Sequence, residues 1–237
     1  MKPYSDLFID FDDTLYDTRK CAEKSIEALY ALHGFDKYFP AAEDFRNAYM
    51  HWNVLLWGKY AKGEITKETL VVERFRQPLL TGNIEKEKVD DKFCLELSDQ
   101  FLSLTIANPV AVEGAHDLLD YLKGKGYKLH ICSNGFSEVQ YKKIHNIAMD
   151  SYFTSIVLSE DAGANKPSKQ FFDYAMKLSG AQIETTLMIG DNYNTDIEGA
   201  KNYGIDTMLF NRWDSNFVPP HPVNYTVNSL SEIKEIL

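Results

Sequence analysis

Cysteine is scarce in this chain and basic charge is in deficit. The three cysteines, Cys21, Cys94 and Cys132, are spread over 237 residues. Their number is odd, and no CxxC or metal-like Cys/His spacing occurs, so they read as buried free thiols of a reducing compartment. Lys and Arg number 25 against 35 Asp and Glu, a formal net charge of −10. That balance argues against nucleic-acid polymers and anionic membranes as partners. It leaves a small anionic substrate open, because a bound metal inverts the local field. No apolar run approaches the roughly 20 residues of a membrane span. Repeats and low-complexity segments are absent. The opening Met1-Lys2-Pro3-Tyr4-Ser5-Asp6 leads straight into an apolar run, which predicts no signal peptide. The expectation is a cytoplasmic protein, a monomer or weak dimer, whose partner is a small molecule. Its length suits one large domain or a core with a smaller insert.

What is there begins with Leu7-Phe8-Ile9-Asp10-Phe11-Asp12-Asp13-Thr14-Leu15-Tyr16-Asp17. A short apolar run of this kind, ending in turn-forming residues, predicts a buried strand. Asp10 and Asp12 stand two residues apart, so an extended backbone points both carboxylates to one side. Like charges at that distance repel, and a cation between them relieves the cost. Mg2+ is the usual hard cation for a few carboxylates and water. An Asx-rich turn closing the strand explains the same residues without a metal.

After Asp17 the pattern becomes helical. Ala22, Ile26, Leu29 and Leu32 mark one face, closed by Gly34. A second helix, 41–62, is rich in aromatics: Phe45, Tyr49, Trp52, Trp57 and Tyr60. A third opens at Thr66, and a fourth spans roughly 86–104. From Pro109 strands and helices alternate: strands at 127–132, 155–158, 186–189, 206–210 and 225–227, with helices at 114–125, 138–146, 168–179 and 195–203 and a last one after Ser229. Alternation of this kind implies a parallel sheet covered on both faces. The opening strand must join that later sheet. The predicted fold is therefore α/β, a Rossmann-like core of residues 1–17 and 106–237 with an all-helical insertion at 18–105. A segment inserted beside a strand end is placed to close over whatever binds there.

Ligands of open α/β sheets bind outside the carboxyl ends of the strands. Four polar clusters fall after a strand or at the start of the next helix: Asp10/Asp12, Ser133-Asn134, Lys166, and Asp191/Asp196. Singly these are a turn, a solvated lysine or a helix cap; in order at one sheet edge they make a site. Asp10-Phe11-Asp12-Asp13-Thr14-Leu15, Ile131-Cys132-Ser133-Asn134-Gly135, Lys166-Pro167 and Gly190-Asp191 with Asp196 resemble the four ordered motifs of the haloacid dehalogenase-like (HAD) superfamily. The insertion resembles that superfamily's C1 helical cap.

That resemblance implies phosphoryl transfer through an aspartyl-phosphate. Asp10 would be the nucleophile. Mg2+ would be held by Asp10, the backbone carbonyl of Asp12, and Asp191. Asp12 would protonate the leaving alcohol and then serve as base toward water. Lys166 would neutralise phosphate charge. The Ser133 hydroxyl and backbone N–H groups, that of Asn134 included, would bind phosphate oxygens. Asp196 would orient Lys166 or a metal-bound water, and Thr14 would shape the turn. Dehalogenases of the superfamily lack the second acid, so Asp12 favours a phosphatase. The residues are further similar to a C1-capped subgroup with bacterial pyrimidine 5′-nucleotidases, close to N-acylneuraminate-9-phosphatases. The expected substrates are nucleoside 5′-monophosphates, with the insertion's aromatics as a base-stacking surface or as its own packing. Arg74 and Arg76 read as solvated. Sugar or acylneuraminate phosphates, a phosphomutase, and a non-catalytic protein of the same fold are the alternatives.

Overall fold

A computed structural model describes residues 4–214 and 216–237; the opening Met1-Lys2-Pro3 lies outside the described residues. The element order is β1 (Asp6–Ile9), α1 (Thr18–His33), α2 (Ala42–Ala61), α3 (Lys67–Thr81), α4 (Asp91–Ala107), α5 (Ala115–Gly124), β2 (Lys128–Ser133), α6 (Ser137–Asn146), β3 (Ser155–Leu158), the short α7 (Ser159–Ala162), α8 (Lys169–Ser179), β4 (Thr186–Gly190), a π-helical turn (Tyr193–Ile197) running into α9 (Glu198–Tyr203), β5 (Asp206–Phe210), β6 (Tyr225–Val227) and α10 (Leu230–Ile236). The chain forms two compact units, residues 1–17 with 110–237, and residues 18–109. A boundary at 105/106 would cut the last turn of α4, which runs to Ala107.

The α/β unit is built on a six-stranded sheet in the order β3-β2-β1-β4-β5-β6, with every neighbouring pair parallel. The chain's first strand thus lies in the middle. Parallel strands need crossovers, and a central strand is covered on both faces, so β1 carries an unbroken apolar run in place of alternation. Leu7, Phe8 and Ile9 are buried. Ile9 is in register with Ile131 of β2 and with Ile189 of β4. That register fixes the site, because Asp10, Ser133 and Asp191 all leave the sheet at the same edge.

The helical unit packs around Ile26, Leu29, Phe35, Phe45, Tyr49, Phe75, Leu79, Leu97 and Phe101. Three expectations fail here. Leu32 is 68% exposed; a three-residue step falls about 60° short of a full turn, and two such steps from Ile26 carry Leu32 off the inward stripe. The fourth helix is not continuous from residue 86. A 3-10 turn occupies Lys86–Lys88, and the Asp90 carboxylate then accepts the Phe93 N–H at 2.8 Å to start α4 afresh. A capping carboxylate satisfies a first-turn N–H that a continuing helix would have used. Arg74 is buried, donating to Ser98 Oγ at 2.7 Å and lying over the Phe75 and Phe101 rings. Arg76, half-buried, pairs with Glu73 and Asp91. Of the aromatics expected as a stacking surface, Phe45 and Tyr49 belong to this core, while Trp52, Trp57 and Tyr60 are half-buried. Among the described residues no helix is long and apolar enough to cross a membrane. Cys21, Cys94 and Cys132 are free and buried.

Candidate active site

Asp10 follows the last residue of β1, and its amide N–H donates to the Ile189 carbonyl at 2.8 Å, continuing the ladder one step past the strand. The chain then turns sharply. Leu15 and Tyr16 both donate to the Phe11 carbonyl at 2.9 Å. Asp13 takes φ +64°, the left-handed conformation that Asp tolerates better than most side chains. The turn folds Thr14 back so that its hydroxyl donates to Asp10 Oδ2 at 3.2 Å. Thr14 therefore shapes the turn and also holds the proposed nucleophile.

The other Asp10 oxygen accepts from Lys166 Nζ at 2.7 Å. Lys166 is 1% exposed, a place for a lysine only if its charge is met. It donates also to Asp196 Oδ1 at 2.7 Å and to the Cys132 carbonyl at 2.6 Å, which uses all three of its hydrogens. Burial opposes the Lys166 charge, but Asp10 and Asp196 outweigh it and raise its pKa. Asn134 fixes the lysine's backbone from across the site: Lys166 N–H donates to Asn134 Oδ1 at 2.8 Å, and Asn134 Nδ2 donates to the Lys166 carbonyl at 3.0 Å.

Asp196 sits in the π-helical turn after β4, where Asn192 Oδ1 accepts the N–H groups of Asn194 and Thr195. Asp196 Oδ2 accepts the Asn192 N–H at 3.1 Å, so this acid anchors the loop and the lysine together. Gly190 is required beside it. A Cβ there would lie 2.3 Å from Asp196 Oδ2 and 2.6 Å from Cγ.

One carboxylate oxygen from each of Asp10, Asp191 and Asp196 falls within 4.8 Å of the others. Burial pushes the Asp10 carboxyl up to about 7, against the Lys166 ammonium, and Asp196 adds to the rise. Asp191 is likewise raised well above the usual range, by burial first and then by Asp10 and Asp13. One ammonium does not balance this many acids. A hard divalent cation with oxygen donors fits the set on charge and on ligand chemistry.

The Asp12 carboxylate is not part of this group. It accepts from Gln140 Nε2 at 2.7 Å and from Lys143 Nζ at 2.6 Å, both on α6. The same Gln140 nitrogen donates to Ser133 Oγ at 2.6 Å, which also accepts the Gly135 N–H at 3.0 Å. With two bonds accepted, the serine's own hydrogen is free to be donated. Lys166 thus joins Asp10, Asp196 and Asn134, Gln140 joins Asp12 to Ser133, and Asp191 lies beside Asp10 and Asp196. Gln140 and Lys143 escaped the sequence reading. They lie three apart on a helix whose Val139 and Ile144 are buried, a spacing indistinguishable from that of a solvated face.

A carboxylate seated at a strand end of an open parallel sheet, between a lysine and further acids, is the kind of site that hydrolases with an α/β fold build there. The chain belongs to the haloacid dehalogenase-like hydrolase family, whose model matches residues 7–204. It is 31% identical to the pyrimidine 5′-nucleotidase YjjG of Escherichia coli, over 98% of this chain and 96% of that protein. It is 28% identical to a glyceraldehyde 3-phosphate phosphatase of Methanothermobacter thermautotrophicus, over 98% of both chains. The crystal structure of the HAD-hydrolase YfnB from Bacillus subtilis, bound to magnesium, superposes with a TM-score of 0.86 at 28% identity, covering 99% of each chain.

Proposed function

We propose that this protein is a Mg2+-dependent phosphomonoesterase that acts through an aspartyl-phosphate, with nucleoside 5′-monophosphates as substrates. The observation that carries the reading is the placement of Asp10, held by Thr14 on one oxygen and by Lys166 on the other, among Asp191 and Asp196. A nucleophile needs a fixed direction of attack, and two donors supply it.

Asp10, Asp191 and the backbone carbonyl of Asp12 would hold the Mg2+, which when bound would offset the charge of the acids and of the phosphate. The rest falls to the chain's own groups. An Asp10 oxygen attacks phosphorus, and the bond to the ester oxygen breaks. Asp12 gives its proton to the departing alkoxide. As a carboxylate, Asp12 then takes a proton from water while that water attacks the phosphorus of the aspartyl-phosphate, which releases phosphate and restores Asp10. Lys166 meets the charge on the phosphoryl oxygens, and the Ser133 hydroxyl donates to one of them. Asp196 keeps Lys166 in place from the far side.

The substrate class rests on the likeness to the Escherichia coli pyrimidine 5′-nucleotidase. Glyceraldehyde 3-phosphate, acylneuraminate phosphates and other sugar phosphates are the competing class, the first because of the likeness to the archaeal phosphatase. The test is a phosphate-release screen over nucleotides, triose and sugar phosphates and acylneuraminate phosphate, with Asp10→Asn as control. Pyrimidine nucleotides are expected to give the highest kcat/KM, EDTA to abolish release, and Asp10→Asn to lower it at least about 10³-fold. Retained turnover in Asp10→Asn would sink the nucleophile assignment. A preference for triose phosphate would move the protein to the other class.

A further inference from the structure

We propose that Gln140 and Lys143 on α6 are positioning residues that hold the Asp12 carboxylate in line with the phosphate-binding Ser133. The inference rests on the reading of Asp12 as the proton carrier, and it adds the two residues that aim it.

Gln140 and Lys143 stand three residues apart and so project from one side of α6. Between them they take both Asp12 oxygens, Oδ2 by Gln140 and Oδ1 by Lys143. The Gln140 Nε2 has two hydrogens; one goes to Asp12 and the other to Ser133 Oγ. The acid and the serine that binds phosphate are therefore set two hydrogen-bond lengths apart by a single nitrogen. Any shift of one carries through to the other.

Three further observations show that this amide is built in. Gln140 is buried, and its Oε1 has no partner among the described residues. Turning the amide over would put that oxygen against the Asp12 carboxylate, acceptor against acceptor, so the orphan is the consequence of serving Asp12. Gly135 makes room for it: a Cβ there would lie 2.3 Å from the Gln140 side-chain carbonyl carbon and 2.4 Å from Nε2. Lys143 is steadied along its length, with Nζ 4.9 Å from the centroid of the Tyr16 ring. Tyr16 is itself buried and stacked on Phe11.

When Asp12 carries the proton, one oxygen becomes an O–H and the other still accepts. One of the two α6 donors then keeps its hold while the O–H faces the ester oxygen. When the proton has gone to the leaving alkoxide, both donors re-engage the carboxylate. Neither residue touches the substrate in this scheme; both act through Asp12.

The experiment uses leaving-group dependence, which a general loss of folding does not move. kcat/KM is measured on p-nitrophenyl phosphate, whose phenolate departs without help, and on the alkyl monoester best turned over in the screen above. Variants are Gln140→Leu, Lys143→Met, Lys143→Arg and Asp12→Asn, each checked by circular dichroism and Tm. Asp12→Asn is expected to lose about 10²- to 10⁴-fold on the alkyl ester and far less on p-nitrophenyl phosphate. Gln140→Leu and Lys143→Met are expected to show the same selectivity at about 10- to 100-fold, in kcat more than in KM, with Lys143→Arg recovering most of the loss. Equal losses on both esters in the α6 variants, alongside a selective Asp12→Asn, would overturn the positioning role and leave Asp12 as the acid. An unselective Asp12→Asn would remove the acid assignment and the inference together. Should Gln140→Leu not fold, the Lys143 pair decides the matter alone.

Discussion

The two units of this chain bury their side chains on different terms. In residues 18–109 the interior is aromatic and aliphatic: Phe35, Phe45, Tyr49, Phe75 and Phe101 touch one another edge-on or tilted, and Arg74 with Ser98 is a polar exception. In the α/β unit the interior below the sheet edge is apolar, but the edge itself buries Asp10, Lys166 and Asp196 beside one another. The first arrangement is the packing of a core. The second concentrates charge that burial penalises, the pattern expected of groups placed to act on a ligand, as the proposed function requires. Substitutions should therefore separate cleanly, stability lost without chemistry in one unit and chemistry lost without much stability in the other.

The largest expected effect tests the helical side of that contrast. Phe75 is buried between Tyr49 and Phe101, with centroids at 5.1 and 5.7 Å. Phe75→Ala removes the ring and leaves a cavity that the neighbouring helices cannot close. The expected cost is about 3–5 kcal/mol, read by urea unfolding. Turnover of p-nitrophenyl phosphate in the presence of Mg2+, the activity proposed above, should change less than threefold for the fraction still folded. A stability loss below about 1 kcal/mol would mean that the aromatic cluster is not the unit's core.

A smaller effect in free energy tests the other side. Gly190→Ala sets a methyl group against the Asp196 carboxylate, 2.3 Å from its nearest oxygen. The acid must move, and Lys166 loses one of its two carboxylate partners. Turnover should fall about 10- to 100-fold, and thermal stability should fall modestly, because a buried ammonium then has one acid where it had two. Activity within twofold of the parent would show that Asp196 does not position Lys166 for the reaction.

How much of this was legible in the residues differs between the units for the same reason. Strand β1 is legible because Leu7-Phe8-Ile9 followed by Asp10 is an apolar run cut off by charge, and its joining the later sheet follows from the alternation of strands and helices; its central place appears only in the strand order. Asp10, Asp12, Ser133 and Asp191 stand out as candidates because each lies at or just past the end of an apolar strand, and Lys166 because it precedes Pro167 just ahead of a helix. Leu32 misled because a stripe read at three-residue steps drifts around the helix. The break before α4 was hidden because Asp90 reads as one more polar residue until its carboxylate is seen capping Phe93. Arg74 reads as solvated in the sequence, and nothing in its neighbours' identities tells that its guanidinium lies over the Phe75 and Phe101 rings. Gln140 and Lys143 lie outside any motif. Their partner Asp12 is more than a hundred positions away, and only the β1–β2 pairing brings α6 to it.

The smallest predicted effect bears on a polar pocket that the α/β unit buries away from the proposed chemistry. His130 of β2 lies between Asp6 and Ser155, with Nε2 3.0 Å from Asp6 Oδ1 and Nδ1 2.8 Å from Ser155 Oγ. Burial lowers the His130 pKa and outweighs the opposing pull of Asp6. At neutral pH the ring is therefore uncharged, Nε2–H donates to Asp6, and Nδ1 accepts from Ser155. An unfolded histidine takes up its proton near pH 6.5, whereas the folded ring resists. Below that pH the unfolded state binds more protons, so acid favours unfolding; above it both states are neutral and the ring adds no pH dependence. The parent should then lose stability on acidification below about pH 6.5 by up to about 1.4 kcal/mol per pH unit more than His130→Gln does. Urea unfolding of both proteins at pH 5.5, 6.5 and 7.5 measures the difference. Parallel pH profiles would show that the folded ring takes up its proton at the same pH as the unfolded one. A parent that gains stability on acidification relative to His130→Gln would show the ring charged when folded, and this unit would then be holding a buried ion pair with Asp6.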